Sequence, residues 1–224
     1  MPIFGRSRRD GEPIGGERPE SQLREVLYGD VALIEWRSAS TDDVSQRFQA
    51  AAAAQQGGSV EGAVSILQSL AADADLESRD HLEAWTALRG MGVRPSPEDE
   101  ARVLGVVLDV PMAGGLDTLA AYADASARYV NHTGKIAVVE PSVSGLTPPI
   151  LALVAEGQKL APRIGPWVGR RPPLPAGAAR ISMLCPGGLY FGQGPRDVLM
   201  SDPMAAPVFT CGAELIQAIT RLST

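Results

Sequence analysis

Residues Arg102 to Glu140 read RVLGVVLDVPMAGGLDTLAAYADASARYVNHTGKIAVVE, and their β-branched and aromatic residues fall into short runs separated by turn clusters. VLGVVLDV favours a strand over a helix, Ala113-Gly114-Gly115 supplies a turn, and TLAAYAD and ARYVN follow as further strands. Asn131-His132-Thr133-Gly134 is the strongest turn of the set, because Asn and Gly tolerate the left-handed conformations that tight hairpins demand. KIAVVE then completes the fourth strand of an antiparallel meander. A helix over 97 to 110 is the alternative that the apolar content of that stretch leaves open.

Upstream, residues 21 to 95 read as a helical segment. SQLREVLYGDVALIEWR places Leu23, Leu27, Val31 and Ile34 at helical spacing, but Gly29 interrupts it and DVALIEWR alone suits a strand, so 21 to 37 is helix or strand. DDVSQRFQAAAAAQQ begins with acids, is rich in Ala and stops at Gly57-Gly58, which predicts a helix from about 42 to 56. Ser59 is placed to cap VEGAVSILQSLAAD, with Val60, Val64, Leu67 and Ala71 as one apolar stripe. Ser78 is placed to cap RDHLEAWTALRGM, with Leu82, Trp85 and Leu88 inward. These two helices make a helical hairpin, and no second copy follows at a fixed period, which disfavours a repeat protein. GVRPSPEDE marks the junction with the sheet, with a boundary near residue 95 and Ser96-Pro97-Glu98 placed to start one helical turn.

Downstream, Thr147 followed by two prolines starts a helix over about 147 to 161 with Ile150, Leu153, Val154 and Leu160 on one face. GPWVGRRPPLPAG is too rich in Pro and Gly for regular structure and should cross the surface extended. ARISMLC and GLYFGQ form a last hairpin around Pro186-Gly187-Gly188. In the closing helix Val208, Cys211, Leu215, Ile219 and Leu222 recur every three or four residues, which predicts that it lies on the sheet with Cys211 buried.

Composition bounds the function. The 224 residues carry 45% hydrophobic and 21% charged side chains, which are globular proportions. Residues 1 to 20 are the exception and read as a disordered basic tail holding Arg6, Arg8 and Arg9. A net charge of −6 argues against nucleic acid, which needs an accumulated basic face. No run reaches the roughly 18 apolar residues of a membrane span, and MPIFGRSRRDGEP has no apolar core for a signal peptide, so a soluble cytoplasmic protein is expected. Two cysteines, Cys185 and Cys211, fit a reducing compartment and imply neither a disulfide scaffold nor a zinc site. The 18 Arg against 2 Lys, with heavy Ala, Gly and Pro, suggests the coding bias of a GC-rich bacterium.

Candidate chemistry is sparse. His132 lies in the hairpin turn with Asp124, Arg128 and Asn131 nearby, and a general base needs such a partner within hydrogen-bond reach. His81 stands in another part of the chain, and the sequon Asn131-His132-Thr133 is a chance match. Cys185 ends a strand before Pro186-Gly187-Gly188, whose amides would face a developing oxyanion, but no activating base is adjacent. Ser144 and Ser182 stand in no Gly-x-Ser-x-Gly elbow. Gly188, Gly192 and Gly194 with Arg196 suggest a phosphate loop before a helix, yet their spacing matches neither standard phosphate-binding pattern, and turn glycines are the simpler reading. Asp73, Asp75, Glu77 and Asp80 lack the glycine and terminal glutamate of a calcium loop, so no metal is expected. Pro172-x-x-Pro175 after Arg170 and Arg171 reads as a stiff crossover pinned by Trp167 rather than a polyproline ligand.

These readings converge on an α+β protein: a tail over 1–20, a helical segment over 21–95, and a sheet domain over 96–224 with about six strands in the order β4-α-β2-α. Over residues 97 to 224 this layout resembles that of profilin-like or roadblock-like modules, a resemblance of fold alone. The leading functional expectation is a non-catalytic adaptor or assembly subunit of a bacterial cytoplasmic complex, with a protein partner and no cofactor. The alternative is a small-molecule-binding or hydrolase-like domain. It would use His132, Asp124 and Cys185 catalytically and Arg128, Gly192, Gly194 and Arg196 for ligand binding.

Overall fold

The computed structural model describes residues 24–30, 42–141, 145–169 and 171–222. The expected tail lies outside them, as do 21–23 and 31–37 of the ambiguous stretch 21–37, whose described part is helical over 24–28. The chain opens with the 3-10 turn Val26–Tyr28, then α1 (Asp43–Gln56), α2 (Val60–Ala72) and α3 (Ser78–Gly90). The meander β1 (Gly105–Met112), β2 (Gly115–Tyr122), β3 (Ala127–Val130) and β4 (Ile136–Val139) leads into α4 (Thr147–Ile164). The hairpin β5 (Ala178–Cys185) and β6 (Gly188–Pro195), the short α5 (Arg196–Ser201) and α6 (Ala206–Leu222) complete an α+β fold.

All six strands form one antiparallel sheet in the order β4-β3-β2-β1-β5-β6. The stretch 97 to 110 resolves to a strand from Gly105, and β1 is buried on both faces, which is why its sequence is a continuous apolar run without alternation. The turn at Asn131 is built as expected: its Oδ1 accepts from the Thr133 and Lys135 amides, and Gly134 takes φ 86°.

One face of the sheet carries Val106, Leu108, Leu119 and Ile181 under α4 and α6. Both helices approach β1 through glycines: a Cβ at Gly157 would lie 2.4 Å from Val106 Cγ2, and one at Gly212 would lie 2.3 Å from Leu108 Cδ1. This corrects the closing helix. Val208, Leu215 and Ile219 are buried as expected, but Phe209 and Gly212 join them in place of Cys211, which is only half-buried because the close contact is made at Gly212, and Leu222 is exposed. α4 runs to Ile164, three residues beyond the expected end, since Pro162 removes one amide but keeps a helical φ.

The other face buries Val107, Ala120, Tyr122 and Leu184 under Leu27, Tyr28 and Leu82, so the turn at 26–28 and α3 cover it. α1, α2 and α3 share a further core of Phe48, Leu67, Leu70 and Leu88. Two local expectations change here. Val60 is half-exposed and the buried stripe of α2 is Ala63, Leu67 and Leu70. The cap of α3 is Glu77, in a capping box with Asp80, which frees Ser78 for a distant contact. No helix among the described residues is long and apolar enough to cross a membrane.

Candidate functional site

The hairpin residues singled out from the sequence are not gathered into one site. Asp124 and His132 stand in the turns at opposite ends of β3. Asp124 Oδ2 accepts from the Ser78 amide at 2.7 Å and its own amide donates to Ser78 Oγ at 3.0 Å, a reciprocal pair that ties α3 to the β2–β3 turn. Arg128 donates to the Val139 carbonyl and to Glu140. His132 instead meets Asp117, a residue of β2 that sequence reasoning missed because it lies outside the hairpin.

Asp117 Oδ1 accepts from the His132 amide at 2.6 Å and lies 2.9 Å from Nδ1, while Oδ2 accepts from the Tyr129 hydroxyl at 2.9 Å. A carboxylate on Nδ1 fixes the ring so that Nε2 is left to accept a proton. Burial, together with Asp117, pushes the Tyr129 hydroxyl up to about 12, so it stays a donor. The result is an imidazole oriented by a carboxylate, with His132 exposed at the hairpin tip.

Cys185 lies at the far end of β5, with β1 and β2 between it and β3. It is 1% exposed, and burial pushes its thiol up to about 12 although Arg89 pulls the other way. The proposed oxyanion bend is also occupied: the Gly187 amide donates to the Glu100 carbonyl, and Pro186 has no amide to offer. Beside Cys185 a cleft of about 30 Å³ opens, lined by Tyr28, Asp30, Leu82, Thr86 and Arg89 among others. Gly192 and Gly194 stand within β6, opposite Ile181 and Ala179, so no glycine loop precedes Arg196, which is exposed.

A buried polar row underlies the covering turn. Asp109 stands between Thr118 and Arg180 in register. Its carboxylate accepts from Tyr28 and Thr118, while Arg180, 1% exposed, donates to Gln193 and to the Pro172 carbonyl. Arg171 lies 3.6 Å from the Tyr28 ring centroid and pairs with Glu25 and Asp30. Residues 165–169 and 171–177 are thus tied down at several points, Trp167 included, whose amide donates to Leu189 and whose ring meets Phe191. The sequence signal was present as two charges in otherwise apolar strands, Asp109 in VLGVVLDV and Arg180 in ARISMLC.

The edge strand β4 has a different character. Ile136 and Val138 are 51% and 56% exposed and share one face, while Ala137 and Val139 pack on the core. Among the described residues, no three His, Cys, Asp or Glu groups converge as metal ligands, and His81 Nδ1 lies 3.0 Å from the Ala71 carbonyl. No protein-family model matches the chain, and neither a curated protein nor a solved structure matches it.

Proposed function

We propose that this chain is a non-catalytic interaction subunit that receives an extended segment of a protein partner along β4. The observation that carries the reading is the pair Ile136 and Val138, exposed on one face of a strand that ends the sheet. An incoming strand would satisfy the outer backbone groups of β4, and its alternate side chains would cover these two residues. The charge of −6 favours a protein partner over nucleic acid. Free Cys185 and Cys211 and the 18 Arg against 2 Lys support the cytoplasm of a bacterium as the setting.

Selection of displayed random peptides against the full chain tests it. Binders with alternating apolar residues are expected, and the double substitution Ile136→Lys and Val138→Lys should weaken them by about tenfold or more while leaving the fold intact. Selected peptides that bind the double variant equally well would place the partner elsewhere.

A second reading, hydrolase-like, is supported by the Asp117-oriented imidazole of His132. It predicts slow hydrolysis of an activated ester that falls about tenfold or more in His132→Gln. Equal rates in the two proteins would dispose of it.

A further inference from the structure

We infer that the cleft between α3 and the β5–β6 turn is a receptor for one carboxylate group, with Arg89 as its binding residue. This is independent of the strand-edge reading. Arg89 Nη1 donates to the Pro186 carbonyl at 2.6 Å and Nη2 to Thr86 Oγ1 at 3.1 Å, both neutral oxygens. No ion pair among the described residues includes it. A guanidinium has five N–H donors, so its fork retains capacity toward the cleft that it lines.

The surroundings strengthen the case. Burial and the neighbouring Arg94 both weigh against the charge of Arg89, Asp30 offsets part of that cost from a distance, and a half-buried cation in no direct ion pair is stabilised by an arriving anion. Leu82, Leu184 and Leu189 line the same cleft and lower the local dielectric, which makes each hydrogen bond to a charged oxygen stronger. Asp30, the one acid in the lining, lies 3.3 Å from Arg171 Nε, so a second guanidinium answers its charge. The planar fork matches a carboxylate in two parallel hydrogen bonds. About 30 Å³ accommodates one such head group while the remainder of the molecule stays in solvent.

Titration of the full chain with sodium acetate, read from the Arg89 Nε–H resonance by NMR, tests the inference, with sodium chloride at equal ionic strength and sodium phosphate as further arms. Acetate should give a saturable shift with Kd on the order of 10 mM, as suits a ligand of a few heavy atoms. Arg89→Lys, which keeps the charge but loses the planar fork, should weaken acetate by about fivefold, read from the backbone amides of the β5–β6 turn. The same shift with chloride, tighter binding of phosphate, or unchanged affinity in Arg89→Lys would each overturn it.

Discussion

The Tyr28 hydroxyl donates a 2.5 Å hydrogen bond to Asp109 Oδ2 across 81 residues of sequence, and this contact fastens the turn at 26–28 onto the middle of the sheet. Gly29 allows the approach. Its φ is 60°, and a Cβ there would lie 2.9 Å from Leu82 Cβ.

Tyr28→Phe leaves a buried carboxylate with one hydroxyl donor fewer, and should destabilise the fold by about 1–3 kcal/mol in urea unfolding. Burial and Asp109 hold the Tyr28 hydroxyl well above its ordinary value, so the neutral ring is the folded form. Its contribution is present in full below about pH 10 and fades as the pH rises further. A Tyr28→Phe protein as stable as the parent would show that the turn is held by apolar packing alone.

Glu83 provides a pH signature on α3. Burial, and secondarily Asp80, push its carboxyl from 4.5 up to about 8. Because the folded value lies above the unfolded one, the stabilisation is complete below about pH 4.5 and is lost as the pH rises through 8. Glu83→Gln, which stays neutral, should match the parent near pH 4.5 and exceed it at pH 8 in denaturant midpoints. Parallel stability curves for the two proteins would contradict this.

Gly157 sets the height of α4 above the sheet. The atom that a new Cβ would strike, Val106 Cγ2, belongs to a stiff and fully buried side chain. Gly157→Ala should therefore lower stability by about 1–3 kcal/mol, despite the better helix propensity of alanine. A rise in melting temperature would mean that α4 can shift outward at little cost.

The two thiols should differ in reactivity. With Cys185 1% exposed and its thiol held near 12, iodoacetamide at neutral pH should modify Cys211 first. Cys185 should react only once denaturant is added, which mass mapping reads directly. Rapid native alkylation of Cys185 would restore it as a candidate nucleophile.

How much of this was legible beforehand differs between fold and site. The strands of the meander, the turn at Asn131 and the helix after Thr147 follow from side-chain branching, proline placement and left-handed turn residues, all of which act within a few positions. Errors of detail arose where a distant contact intervened. Ser78 left its expected capping role because Asp124 binds its hydroxyl, and Cys211 left the buried stripe because Gly212 seats against Leu108.

The polar constellations belong wholly to tertiary structure. Asp117 reaches His132 because β2 and β3 are neighbours in the sheet, and Arg180 comes beside Asp109 because the hairpin after α4 returns to pair with β1. From the chain alone came its α+β class, most of its elements and the charge that argues against nucleic acid. Which polar groups meet, and which strand is left at the edge with Ile136 and Val138 uncovered, was decided by strand order. Local propensity acts over a handful of residues, whereas a hydrogen bond such as that between Tyr28 and Asp109 forms only after burial has chosen which faces pack.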